Sequence, residues 1–152
     1  MTTTILETPN TMNKTSYTYT DLANLLTGLS EVENLKGVKF ALKVSKNIRL
    51  IRAELVELEE AAKPSAEFLT LAEKVQAIEA DPSKSDEVKK LDVGKLEKDN
   101  KELVTERKDQ IAEFQKMMQD TTDISLFKLS ENHLPLEITA KQLNDISLII
   151  KE

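Results

Sequence analysis

The sequence predicts a predominantly helical α+β fold, in which a long antiparallel helix pair joins a small β-sheet formed by strands from both termini and short end helices. Apolar residues recur at helical spacing through most of the middle of the chain, whereas short alternating segments occur only near its two ends. The chain has 152 residues, of which 39% are hydrophobic and only 4% aromatic. The core is therefore expected to consist mainly of aliphatic side chains, as is typical of packed helices.

The N-terminal segment is Thr-rich. Residues 1–13 are polar and contain Pro9, a composition that cannot bury enough surface to order itself alone. We therefore expect an N-terminal arm over residues 1–13 and a single, mainly helical domain over residues 14–152. At the start of that domain "TSYTYT" (15–20) alternates like a strand. Thr20 or Asp21 can then cap a short helix that contains "LANLLTGL".

The strongest periodic signal in the sequence predicts one long helix over residues 35–63. Its apolar residues are spaced alternately three and four apart, which is the pattern of a helix that packs lengthwise against another. These residues are Ala41, Val44, Ile48, Ile51, Leu55, Leu58 and Ala62. Pro64 is expected to end the helix, because proline cannot continue the hydrogen-bond ladder.

Two further helices are predicted in the charged middle of the chain. Ser65 can cap a third helix, which ends at the turn residues "DPSKS" (81–85). A polar stretch then leads through Gly94 to a fourth helix over residues 95–119. Asn100 and Arg107 interrupt the apolar face of this helix, so that its stripe is narrower than that of the long helix.

In the C-terminal region the helical spacing of apolar residues gives way to short alternating segments. "ISLFKL" (124–129) and "LPLEI" (134–138) are short strand candidates separated by "SENH". Together with the N-terminal strand they predict a three-stranded sheet, because an isolated hairpin is only marginally stable in water. Thr139 and Gln142 form a capping box for a last helix, "AKQLNDISLII".

The sequence contains no recognisable catalytic, cofactor or metal signature, and we expect a protein that is not an enzyme. There is no cysteine, and the single histidine, His133, lies in a predicted turn. Residues 81–92 resemble a calcium loop, but Asp86 stands where that loop needs glycine. The first residues lack a secretory signal, and no apolar run approaches the length of a membrane span. We accordingly expect no cofactor, no membrane association and no export by signal peptide.

The long helix has an unusual charge layout. All charges from Leu35 to Ala53 are basic, and all charges from Glu54 to Glu60 are acidic. This order opposes the helix macrodipole, which favours acids at the N-terminal end by about 0.3–1 kcal/mol per well-placed charge. The two charge blocks therefore do not stabilise the isolated helix, and we expect them to interact with groups outside it. The resulting candidate interaction surface consists of Lys39, Lys43, Lys46, Arg49, Glu57 and Glu59.

Three explanations of this layout stay open at the level of sequence. The fourth helix, which mixes both signs, could neutralise the blocks within the fold. A protein partner, including a second copy laid antiparallel, could match basic half to acidic half. The basic half could instead contact nucleic acid, which is the least favoured of the three because the helix lacks interleaved aromatics and the protein has a net charge of −6.

Three stretches of residues 15–150 carry a resemblance to a known family. They are "LANLLTGL", "LKGVKFALKVSKNIRLIRAELVELEEA" and "EFQKMMQDTTDISLFKLSENHLPLEITAKQLNDISLII". In this order they resemble a family of small proteins of tailed phages and prophages that is defined only as a domain of unknown function. The long lysine-bearing helix that turns acidic and the final T-A-x-x-L helix carry the likeness. The resemblance implies a phage setting and a small binding or structural part, and it assigns no functional residues.

These observations lead to one expected function and two alternatives. We expect a non-enzymatic phage accessory protein that acts by contact with phage structural proteins or with itself, as a minor component of the particle or of its assembly. The first alternative is an intracellular phage protein that binds and regulates a host factor. The second is a nucleic-acid-binding module that uses the basic half of the helix at 35–63. The expected location is the virion or the host cytoplasm.

Overall fold

The computed structural model describes residues 15–151. The helices and strands, in chain order, are β1 (Thr15–Thr18), α1 (Tyr19–Val32), α2 (Val38–Ala62), α3 (Ala66–Glu79), α4 (Asp86–Asp99), α5 (Lys101–Met117), β2 (Thr121–Ile124) and α6 (Ala140–Asp145). This element content confirms a predominantly helical α+β fold. The predicted arm over residues 1–13 lies outside the described residues. No described helix combines the length and the apolar character that a membrane span requires.

The described residues form two compact units. The first unit comprises residues 15–57 and 117–151, and the second comprises residues 58–116. The prediction that residues 14–152 form a single domain stays a prediction.

The sheet of the first unit pairs the start of the described chain with residues 121–124. Strands β1 and β2 are antiparallel, in a register that pairs Thr15 with Ile124 and Thr18 with Thr121. Thr18 also caps α1, since its hydroxyl accepts a hydrogen bond from the backbone N–H of Asp21 (3.0 Å). A small antiparallel sheet is therefore confirmed, but its second strand is Thr121–Ile124, and the strand predicted over 124–129 is wrong beyond Ile124.

The predicted third strand is wrong. Within residues 15–151 the sheet has two strands, and the only additional pairing is a single parallel bridge between Leu129 and Ile150. The segment 134–138 is a turn, closed by a hydrogen bond from the Ile138 N–H to the Pro135 carbonyl (3.3 Å). Pro135 has no N–H to contribute to a ladder, which explains why this segment does not extend the sheet.

The predicted apolar face of the long helix α2 is buried, whereas the antiparallel pairing of this helix with the fourth helix stays a prediction. Val44, Ile48, Ile51, Leu55 and Leu58 are all buried, as the alternating spacing requires. Phe40, one turn before Val44, is also fully buried and extends the same face. Gly37 precedes the helix with φ of 123°, a conformation that L side chains rarely adopt, and its carbonyl accepts the Ala41 N–H (2.8 Å). Glycine at this position lets the chain turn from α1 into α2.

One polar side chain, Asn47, lies in the apolar face of α2 and is fully buried. Its Nδ2 donates to the Phe127 carbonyl (2.9 Å), and its Oδ1 accepts from the Phe127 N–H (2.8 Å). The Asn47 amide therefore makes the two backbone hydrogen bonds of Phe127 that a neighbouring strand would otherwise make. Asn47 fixes the segment 125–130, which follows β2, against the helix.

The C-terminal helix of the first unit is shorter than predicted, but its start is confirmed. Thr139 and Gln142 form the capping box, with hydrogen bonds of 3.1 and 2.9 Å. The helix ends at Asp145, and a 3-10 turn over Ser147–Ile149 follows. A Cβ added at Gly28 of α1 would lie 2.9 Å from the Asp145 carbonyl oxygen, so only glycine permits this close approach of α1 and α6.

The second unit begins at the C-terminal end of α2. Arg107 Nη1 of α5 donates to the Ala62 carbonyl (2.6 Å), and Gln110 Nε2 donates to the Ala61 and Lys63 carbonyls (2.7 and 2.9 Å). These bonds satisfy carbonyls that have no intrahelical partner at a helix end. Pro64 follows, and Ser65 caps α3 as predicted, accepting from the Phe68 N–H (3.2 Å).

The prediction of one helix over residues 95–119 is wrong in its boundaries. The polar stretch before Gly94 is already helical, because Ser85 caps α4 through the Val88 N–H (3.3 Å). Asn100 then ends α4, with φ of −118° and ψ of 34°, and its Nδ2 donates to the Leu96 carbonyl (2.9 Å). A side chain that bonds the local backbone competes with the helical ladder, and this divides the predicted helix into α4 and α5.

Candidate interaction surface

The side of α2 that faces away from the core carries a second regular pattern, which we call the outer stripe. Its members are spaced alternately three and four residues apart and therefore share one helical face. The outer stripe consists of Lys39, Leu42, Lys46, Arg49, Ala53 and Val56. All are exposed except Lys46, which is half-buried. Leu42 and Val56 are 51% and 47% exposed, so the stripe contains apolar as well as charged groups.

The structure separates the predicted interaction residues into two environments. Lys39 and Arg49 are exposed in the outer stripe, and Glu57 and Glu59 follow it as exposed residues. Lys43 instead lies on the flank of α2, where its Nζ donates to the Lys128 carbonyl (2.9 Å). The six residues are thus part of one helix but do not all face the same way.

The ion pairs of residues 15–151 do not involve the basic block of α2. They are Lys63 with Glu60, Lys84 with Asp92, and Lys141 with Glu31 and Asp145. The first explanation of the charge layout requires carboxylates of the later helices to pair with these basic groups. Neutralisation of the basic block by the fourth helix stays a prediction.

A groove next to α2 collects further basic groups, and we call it the lysine groove. Its volume is about 520 Å³, within the range of small-molecule sites. Lys43, Lys128 and Lys151 line it together with the hydroxyls of Ser125 and Ser130. No Asp or Glu among residues 15–151 lines this groove.

Phe127 adds an aromatic ring to the lysine groove. Phe127 is 42% exposed although Asn47 bonds its backbone. The Nζ atom of Lys46 lies 5.1 Å from the ring centroid, a cation–π geometry. Lys46 therefore links the outer stripe to the lysine groove.

Sequence reasoning missed the groove residues from Ser125 to Lys151. The sequence predicts a strand over 124–129. Nothing local indicates that this segment lies beside Lys43, which precedes Lys128 by 85 positions in the sequence. Asn47 was the available signal, because a polar residue between Val44 and Ile48 in an apolar seam requires a polar partner. That signal predicts a partner but does not identify Phe127.

The acidic residues of the segment that resembles a calcium loop have local partners. Asp81 Oδ1 accepts from the Ser83 hydroxyl (2.6 Å) and N–H (2.9 Å), and these bonds lower the pKa of Asp81. Asp92 accepts from Lys84 (2.7 Å). Among residues 15–151, no group of three or more potential ligand side chains is arranged for a metal ion. His133 lies in a 3-10 turn, where its Nδ1 is buried and has no hydrogen-bond partner in the described structure.

Comparisons of this chain with protein-family models, with curated proteins and with solved structures find no match. The resemblance to a phage family therefore stays a prediction, and the function is argued from the geometry of the two surfaces on α2.

Proposed function

We propose that this protein is a non-enzymatic binding protein that contacts another protein through the outer stripe of α2. The supporting observation is that two apolar side chains, Leu42 and Val56, are 51% and 47% exposed among basic groups on the helix side opposite the core. Such a pattern is typical of a helix that packs against a second surface. Its N-terminal part is basic and Glu57 and Glu59 follow it, so a partner with the reverse charge order fits best.

We further propose that the partner belongs to a tailed phage, so that the protein is a minor component of the particle or of its assembly. The layout of "LKGVKFALKVSKNIRLIRAELVELEEA" and of the final "TAKQL" helix supports this setting by resemblance. Mass spectrometry of purified particles is the direct test. Recovery of the protein in particles agrees with the proposal, whereas recovery only in infected-cell lysate favours the alternative in which it binds a host factor.

The contribution of the outer stripe can be tested independently of the particle. Arg49→Glu places the wrong charge in the stripe, and Leu42→Ser removes an exposed apolar side chain from it. Each change is expected to weaken co-sedimentation with the protein partner. Lys74→Glu, at an exposed position of α3, is the matched control and should leave co-sedimentation unchanged. If the partner is a second copy, Glu57→Lys in the facing chain should restore association lost through Arg49→Glu.

A further inference from the structure

The lysine groove offers more hydrogen-bond donors than the fold uses. Lys43 Nζ donates to the Lys128 carbonyl, and Lys128 Nζ donates to the Leu148 carbonyl (2.7 Å) and approaches the Tyr17 hydroxyl (3.5 Å). An ammonium has three N–H donors and no acceptor, so Lys43 retains free donors. Lys151 is exposed, and its side chain makes no hydrogen bond or ion pair within residues 15–151. These groups favour an anion with several acceptor oxygens.

The arrangement of basic groups extends beyond the groove. Lys39 and Lys46 lie four residues before and three residues after Lys43, so all three occupy neighbouring positions on the surface of α2. A ligand with repeated negative charge could therefore follow the groove and continue along the helix. This extension distinguishes a polymeric anion from a single small one.

Phe127 distinguishes between the classes of polymeric anion. The carboxylates of an acidic peptide would pair with the lysines, but carboxylates do not stack on an aromatic ring. The bases of a single strand stack on such rings while lysines contact the phosphates. In a duplex the bases are already stacked and are not free to meet Phe127. The sequence of α2 lacks interleaved aromatics, but the fold supplies one from the segment 125–130.

We propose that the lysine groove binds single-stranded nucleic acid, with Lys43, Lys128 and Lys151 at the phosphates and a base stacked on Phe127. The serine hydroxyls of the groove add donors for the same phosphate oxygens. The groove itself lies beside the outer stripe, and the extension along α2 shares only Lys39 and Lys46 with that stripe. The proposal extends beyond the protein-contact function and does not depend on it.

Fluorescence anisotropy of the full chain with a labelled single-stranded oligothymidylate of about 12 nucleotides tests the proposal. Binding is expected at low salt, with a log–log salt slope of roughly −2 for three phosphate contacts. Phe127→Leu retains an apolar side chain but removes the stacking ring, and should weaken binding roughly 5- to 100-fold. Lys151→Glu should also weaken binding, whereas the matched control Lys74→Glu should not. Circular dichroism checks that each variant is folded.

Four results would overturn the proposal. They are no binding at low salt, equal effects of Lys151→Glu and Lys74→Glu, tighter binding of a duplex of the same sequence, and equally strong competition by a poly-glutamate peptide. The last result would identify the groove as a site for an acidic protein instead. Arg49→Glu and Leu42→Ser lie outside the groove, so loss of protein association in those variants is separate from loss of oligonucleotide binding.

Discussion

At the scale of single residues, Asn47 connects α2 to the segment that follows β2. Its amide is fully buried and makes both of its hydrogen bonds to the backbone of one residue, Phe127. A buried amide is stable only when its polar atoms are paired, and the same holds for the buried backbone groups that it serves. Asn47 thus positions the groove segment that carries Phe127 and Lys128.

Replacement of Asn47 should destabilise the protein, because its side chain makes two buried hydrogen bonds. Asn47→Leu keeps the branched shape of the side chain but leaves the Phe127 N–H and carbonyl unpaired, at an expected cost of about 2–4 kcal/mol in unfolding free energy. Urea unfolding measures this cost. The control Asn24→Leu, at an exposed position of α1, should change the free energy by no more than about 0.5 kcal/mol. Equal effects of the two substitutions would show that the amide does not hold the segment.

Ile51 tests the apolar seam at the same scale. The side chain is fully buried in α2, so Ile51→Ala should leave a cavity and cost about 2–5 kcal/mol. The neighbouring Leu50 is 37% exposed and provides the control. Leu50→Ala should cost less than about 1 kcal/mol by the same denaturant measurement. An unchanged midpoint for Ile51→Ala would place the seam in an exposed interface rather than in the core.

At the scale of elements, the C-terminal end of α2 depends on a side-chain cap from another helix. Arg107 bonds the Ala62 carbonyl and also the Gln110 side chain (2.8 Å), which itself bonds two further carbonyls. The guanidinium lies 5.8 Å from the centroid of the Phe68 ring as well. One arginine therefore connects the end of α2 with the first turns of α3.

Removal of this cap should lower stability. Arg107→Ala leaves the Ala62 carbonyl without its charged donor, at an expected cost of about 1.5–3 kcal/mol in unfolding free energy. Lys108→Ala, the adjacent exposed position, is the control and should cost no more than about 0.5 kcal/mol. Thermal and urea unfolding of both variants provide the measurement. Equal losses in the two variants would show that the cap does not stabilise the helix end.

The elements also show which parts of the fold a sequence can predict. The long helix was predicted well because its apolar spacing is unbroken and Pro64 ends it. The division at Asn100 was missed because asparagine lowers helix propensity only slightly, and the competing side-chain bond is visible only in three dimensions. The polar start of α4 was missed because the helix has no buried residue, so its sequence shows no apolar stripe. The caps Ser65 and Thr139 were predicted correctly, whereas the cap of α1 is Thr18 and not Thr20 or Asp21. The partner of Asn47 could not be predicted from the sequence.

At the scale of the whole molecule, burial is distributed unevenly between the two units. All the buried hydrophobic side chains of the described residues belong to the first unit except Leu58 and Leu71. Helices α4 and α5 contain no buried residue at all. Because local stability follows the density of buried apolar contacts, the second unit is expected to open without unfolding of the first.

Native-state hydrogen exchange should detect this difference. Amides in the middle of α4 should show protection factors about 30-fold lower than those of α1, which corresponds to an opening that costs roughly 2 kcal/mol less. The four leucine and valine side chains buried in α1 make its amides the internal reference: Leu22, Leu25, Leu29 and Val32. Ile51→Ala should lower the protection of α1, whose amides exchange only by unfolding of the first unit, and should leave α4 almost unchanged. Equal protection of α1 and α4, with an equal decrease in both on Ile51→Ala, would mean that residues 15–151 unfold as one cooperative body.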